Sequence, residues 1–196
     1  MSEMINMLQG AVAGRSPIVY VFSPEEERIL RGIREIAATT NTPVTTWSCV
    51  RGLDGEDPAI TQDPVEAIKT IIRKDIRGMI VMCDLAPFLN DNKTVRAIRE
   101  AYNDGRTKHD RTLFLVCAEN IVPEAIKKEI HFMEIPSPDE NEIVDIIKKT
   151  AADDASLNIP EDAIREITLA LKGLTENEIA YVLQRACKNK ESNKDE

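Results

Sequence analysis

The chain has 196 residues, 25 Lys and Arg against 34 Asp and Glu, and a formal net charge of −9. At 42% hydrophobic and 30% charged residues it has the composition of a folded chain, long enough to bury a real core. Acidic balance disfavours nucleic acid or an anionic membrane as the main partner, because neutralising phosphates needs basic surface. No apolar run reaches the ~18 residues of a membrane span, and the start MSEMINMLQG lacks the layout of a signal peptide. The expectation is a cytoplasmic protein.

Cys49, Cys83, Cys117 and Cys187 are far apart and form no CxxC pair. They read as free thiols of a reducing compartment rather than disulfides or metal ligands. His109 and His131 share no metal-ligand spacing, so no metal site is expected.

A lead helix is expected over Met4–Val12. Pro17–Ser23 is a short β-rich run and reads as a buried strand. Ser23 is expected to cap the next helix, with Pro24 at its first position and Glu25, Glu26 and Glu27 at its positive end. Ile29, Leu30, Ile33, Ile36 and Ala37 then recur at helical spacing. Further strands are expected over Val44–Cys49, Gly78–Asp84, Arg111–Cys117 and His131–Ile135. Helices are expected over Pro64–Lys74, from Asn90 or Asp91 to Tyr102, and over Pro123–Glu129. Near-continuous apolar strands alternating with helices imply a parallel sheet covered on both faces.

Beyond Pro136-Ser137-Pro138 the pattern holds no strand. Ser137 with Glu140 is read as a capping box opening a helix to Ala152. A second helix is expected over Pro160–Leu171, and Gly173 stops it. Thr175 with Glu178 caps a third, to Cys187. The expected layout is a lead segment at 1–16, an α/β core at 17–136, a helical subdomain at 137–188 and a disordered tail or linker at 189–196. The last 58 residues carry 8 basic and 14 acidic groups, so six of the nine negative charges fall there.

Five strands in a doubly wound sheet, then a small helical unit, resemble the AAA+ ATPase module with its core and lid. Met79-Ile-Val-Met-Cys-Asp84 is similar to that family's Mg²⁺ motif at the end of the third core strand. Asn120, after Leu113–Cys117, falls where its first sensor asparagine falls. Ile135–Ile143 is similar to the hinge into the lid. Tyr20–Leu30, Trp47–Gly52 and Ile121–Ile130 resemble the N-terminal half of bacterial, phage and chloroplast AAA ATPases, in which a degenerate AAA-like domain precedes an intact module. By that resemblance Glu196 leads into such a module, or the chain is a stand-alone version.

The departure from the pattern is at the phosphate loop. That loop needs glycines, a Lys and a Ser or Thr. Here the first strand runs into Ser23-Pro-Glu-Glu-Glu-Arg28, and no GK[ST] occurs in the sequence. Asp84 is followed by Leu85, so the family's general-base carboxylate is missing. The resemblance therefore implies a degenerate, non-hydrolysing module. Ser23, Pro24, Glu25, Glu26, Glu27, Asp84 and Asn120 hold vestigial nucleotide-site positions, and no catalytic residue or cofactor is expected. ATP and Mg²⁺ would belong to a companion module. The expected partners are an AAA ATPase module, in cis or in trans, or a second copy of the chain. Arg96, Arg99, Arg106, Lys108 and Arg111, with Lys127 and Lys128, form the candidate interface. Lys127 and Lys128 lie where the family often projects an arginine finger. The alternatives are a nucleotide-binding ATPase with an atypical loop and a clamp-loader-like subunit.

Overall fold

The computed structural model describes residues 2–153 and 159–192. It divides into two compact units, Glu3–Ile135 and the part beginning at Pro136.

The first unit opens with α1 (Glu3–Ala13), followed by β1 (Ile18–Phe22), α2 (Glu26–Thr40), β2 (Val44–Ser48), β3 (Gly52–Leu53), the single-turn α3 (Pro58–Thr61) and α4 (Pro64–Arg73). Next come β4 (Gly78–Cys83), α5 (Asn92–Lys108), β5 (Arg111–Cys117) and β6 (His131–Glu134). Short 3₁₀ turns at Ala86–Asn90 and Glu124–Ile126 join the later elements. The six strands lie in the order β3-β2-β4-β5-β1-β6. Every pairing is parallel except that of β3 with β2.

The sheet has one strand more than the sequence pattern suggests. Gly52 and Leu53 are too short a run to show a two-residue period; they are a strand by pairing with Ser48 and Trp47 of β2, and contacts with Thr61 hold them there. Leu53 N–H donates to Thr61 Oγ1 at 3.0 Å, and Trp47 Nε1 donates to the Thr61 carbonyl at 2.6 Å. Gly52 sits at φ +73°, and a Cβ there would come within 2.6 Å of Thr61 Oγ1. Only glycine meets both demands cheaply.

Alternate strand residues feed two separate cores. Ile18, Tyr20, Ile80, Met82, Leu113 and Leu115 pack against Ile68 and Ile71 of α4 and Ile98 of α5. Val19, Val21, Met79, Val81, Phe114 and Val116 pack against Ile29, Ile33 and Ile36 of α2. Met4, Ile5, Leu8 and Ala11 of α1 complete that second face. The segment expected to lead the core is therefore part of it. Gly32 lets α1 approach, since a Cβ there would lie 2.9 Å from Met4 Cε.

Helix ends follow local chemistry, with some differences from expectation. Asp63 and Asp91 cap α4 and α5 by accepting from Glu66 N and Thr94 N, both at 3.0 Å. α5 passes the expected end at Tyr102 and stops at His109, which takes a left-handed φ of 56°. The helix expected over Pro123–Glu129 is a 3₁₀ turn.

The second unit holds α6 (Glu140–Asp153), α7 (Ile164–Ala170) with a 3₁₀ turn before it, and α8 (Glu176–Ser192). Ile143, Ile147, Leu171, Ile179 and Leu183 form its core. The capping box of α6 is built by Asp139 and Glu142, not by Ser137 and Glu140. Asp139 Oδ1 accepts from Glu142 N at 2.9 Å, and Asp139 N donates to Glu142 Oε2 at 3.1 Å. Thr175 and Glu178 form the reciprocal pair at α8, with bonds of 2.8 and 3.3 Å. α8 continues past Cys187 to Ser192, so residues 189–192 of the expected tail are helical. Residues 193–196 lie outside the described residues.

Candidate functional site

The connection after β1 runs toward β2, and the connection after β5 runs toward β6 on the other side. The carboxyl ends of β1 and β5 thus flank a topological switch point, where open α/β sheets bind ligands. Ser23, Asp84 and Asn120 all follow strands that end at this edge, and the sequence motifs meet there.

The β1–α2 junction consists of Ser23, Pro24 and Glu25 alone. α2 begins at Glu26, so Ser23 is not its cap and Pro24 is not its first residue. Glu25 holds the cap position, with no side-chain bond to the helix amides. Each junction amide can be followed. Ser23 N–H donates to the Cys117 carbonyl at 3.0 Å. Pro24 has no N–H. Glu25 N–H donates to the Ser23 hydroxyl at 3.1 Å. Both N–H groups of the junction itself are thus taken by acceptors within the chain, unlike the amides of a glycine-rich loop that wrap a phosphate. The Glu25 carboxylate lies 2.8 Å from Arg28, and the two side chains are 7% and 3% exposed. Glu26 is half-buried and Glu27 exposed.

At the end of β4, Asp84 is exposed and left-handed at φ 53°. Asp tolerates that conformation through its short polar side chain. Its N–H donates to the Val116 carbonyl at 2.9 Å, tying β4 to β5. Cys83 is buried before it, and its thiol is pushed up to about 12 by burial, with the Glu26 carboxylate next in effect. Burial likewise raises the Cys117 thiol, against the pull of the Tyr20 hydroxyl. Both thiols therefore stay protonated at neutral pH and are poor nucleophiles.

Tyr20 of β1 organises the loop after β5. Its hydroxyl donates to the Glu119 carbonyl at 2.5 Å and accepts from Ile121 N at 3.3 Å, bracketing Asn120. Burial, then Cys117, raises the phenol above its ordinary 10.0. Asn120 is exposed. Among the described residues no group of three or more His, Cys, Asp or Glu is placed to hold a metal ion.

The basic residues singled out by sequence do not form one surface. Arg111 is interior: its side chain is 3% exposed, and it donates to the Ile71 carbonyl at 3.0 Å and to Asp75 at 2.6 Å. Lys108 pairs with Asp75 and Asp104. Both lie at the amino ends of the strands, opposite the switch point. Arg99 bonds Glu129 and the Ala125 carbonyl, Arg96 pairs with Glu100, and Lys127 pairs with Glu124. Arg106 lies over the Tyr102 ring, and Lys128 is exposed. Local carboxylates neutralise much of the group.

Sequence reading missed Arg28, Tyr20 and Arg51. The spacing of Glu25 and Arg28 at i and i+3 was visible, but not that the pair is buried. Tyr20 looked like any core aromatic, and Arg51 acts on Cys83 only through the tertiary fold.

The parallel sheet with its flanking helices, followed by a three-helix unit, defines an AAA-type α/β module. Residues 4–135 match the family model described as the N-terminal domain of SpoVK-like AAA ATPases, and the chain belongs to that family. A search of the curated proteins found no match. Among solved structures, the FIGL-1 AAA domain in complex with ADP is similar at a TM-score of 0.64 and 9% identity, over 88% of this chain and 60% of that one. A chain of the E. coli MS115-1 HORMA:CdnC:Trip13 complex is similar at 0.60 and 11%, over 85% and 65%. A structure described as the basis for katanin self-assembly gives 0.61 and 13%, over 88% and 58%. This chain thus spans less than two thirds of those three chains. At such identities the likeness establishes the fold alone.

Proposed function

We propose that this chain is a non-hydrolysing AAA-type module that works by protein–protein contact, as an oligomerisation, regulatory or adaptor unit beside an intact AAA ATPase. The observation that carries this reading is the β1–α2 junction. Its three residues have no amide free for phosphate, no Lys, and a buried carboxylate where a nucleotide's charge would have to enter. An added phosphate would meet Glu25 and Glu26 at once, and like charge costs affinity. Asp84 has no neighbouring carboxylate in sequence to act as a base, since Leu85 follows it.

Association is the function left to such a module. The katanin and Trip13 structures are described as a self-assembly and a complex, which favours assembly as the shared use of the fold. In this reading nucleotide and Mg²⁺ belong to the companion module. Cys49, Cys83 and Cys117 are free thiols, which fits a reducing cytoplasm.

A fluorescent ATP analogue with Mg²⁺ tests the first half. No saturable binding is expected below roughly 100 μM, about −5.5 kcal/mol. Saturable binding tighter than that favours the nucleotide-binding alternative. Light scattering, alone and with an intact AAA module, tests the second half. A strict monomer that ignores the AAA module would sink the association reading.

A further inference from the structure

We infer that the helical unit carries both halves of a head-to-tail contact: the groove between α6 and α7 of one copy receives the outer face of α8 from a second copy. The contact rests on the association reading proposed above and gives it a surface.

The groove encloses about 440 Å³, and Val144, Ile164 and Leu169 give it an apolar wall. Leu169 is 53% exposed. Lys172, just past α7, pairs with Glu140 at the start of α6, so the two helices run antiparallel. Glu140 therefore marks one end of the groove. At the other end Lys148 and Arg165 stand against Glu161 alone. Neither cation has an ion-pair partner among the described residues.

The complementary face is on α8. Glu178, Tyr181, Val182 and Arg185 stand at i, i+3, i+4 and i+7, which is one helix face. Ile179 and Leu183 point into the unit's core instead. Tyr181 and Val182 are 63% and 43% exposed. The Thr175 amide and hydroxyl hold the Glu178 carboxyl below its ordinary value, so this face keeps a negative end.

The two surfaces match in length and charge. Glu178 to Arg185 spans about 10 Å of helix and Glu140 to Lys148 about 12 Å, at ~1.5 Å per residue. With α8 antiparallel to α6 of the other copy, Glu178 meets Lys148 and Arg165, and Arg185 meets Glu140. Tyr181 and Val182 then lie between, on Val144 and Leu169. The reverse orientation sets Arg185 against two cations. The last 58 residues carry 8 basic and 14 acidic groups, so two such units repel overall, and a face with unpaired cations is where they can meet. Groove and α8 face are different surfaces, which makes the contact heterologous.

Sedimentation of the whole chain tests this. The wild type should associate, with a mass that climbs with concentration. Tyr181→Glu spoils the α8 face and Leu169→Glu the groove. Both positions are exposed, so the melting temperature should hold while each variant alone stays monomeric. Mixed in equal amounts they should form a dimer, because the intact groove of one meets the intact α8 face of the other. Adding Arg165→Glu to the Tyr181→Glu chain should weaken that dimer roughly tenfold. If Leu169→Glu does not fold, Lys148→Glu/Arg165→Glu serves as the groove variant. Variants that associate like the wild type, or a mixture that stays monomeric, overturn this contact and leave the proposed function standing. A monomeric wild type that still binds an intact AAA module does the same, and one that ignores the module overturns both.

Discussion

At the carboxyl ends of the strands, polar groups turn inward: Ser23, Glu25 and Arg28 bond one another, and Tyr20 grips the loop around Asn120. At the amino ends, four chain segments meet on one guanidinium. Arg111 reaches the Ile71 carbonyl, Asp75 and Asp110 by hydrogen bonds, and lies 3.1 Å from Asp104 Oδ2. That last contact is Coulombic, since the oxygen has no aligned hydrogen bond. One edge ties a short loop to the sheet through the Cys117 carbonyl. The other edge staples α4, α5, β4 and β5 together. The difference teaches that buried charge is local at one edge, between residues three apart, and long-range at the other, where it joins segments 36 residues apart.

Replacing Arg111 gives the largest expected effect. Arg111→Met removes the buried guanidinium's bonds to the Ile71 carbonyl, Asp75 and Asp110, while Lys108 and Arg77 stay beside the carboxylates, and should cost about 3 kcal/mol. Urea melts check this through a fall in midpoint at unchanged slope. A loss under about 1 kcal/mol would mean that this edge behaves as surface charge, and the comparison collapses.

Tyr20→Phe is the matching cut at the ligand edge. It leaves the Glu119 carbonyl and Ile121 N–H without their partner, an expected cost of about 1–3 kcal/mol. Faster exchange of the Ile121 amide would locate the effect. Unchanged exchange would show that the loop around Asn120 is held by something else.

The amino-end network also sets an acid limit. Lys108, then Arg77, holds the Asp75 carboxyl well below its ordinary 3.8. A depressed folded value means that its contribution is fully present above 3.8 and is lost as pH falls through the acid range. Thermal melts into acid should fall more steeply for the wild type than for Asp75→Asn. Parallel curves would remove Asp75 from the network.

The smallest effect is chemical. Maleimide should label exposed Cys49 in the folded protein, while Cys83 and Cys117 stay protected until denaturant is added. Early labelling of Cys83 would show that the ligand edge opens.

Much of the fold was legible because it follows local chemistry. Apolar runs named five of the six strands, and Pro64, Asp91 and the Thr175–Glu178 pair marked helix starts. The misses are where two local signals compete. Ser23 and Asp139 both offer an acceptor near a helix start, and only Asp139 caps one, since Ser23 is held by Cys117 and Glu25. Arg111 was grouped with surface cations because charge in sequence does not say where the opposite charge lies. Asp75 and Glu129 reach Arg111 and Arg99 across 36 and 30 residues.

The sequence by itself determined the alternation of strands and helices, the change of character at Pro136 and the lack of a glycine-rich phosphate loop, because hydrophobic period and backbone chemistry are local properties. Tertiary structure alone decided that the β1–α2 junction has no free amide, that Glu25 and Arg28 are buried together, and that Arg111 is a core residue. Each of those depends on carbonyls, carboxylates and apolar walls from distant segments, and burial fixes what a charge can do.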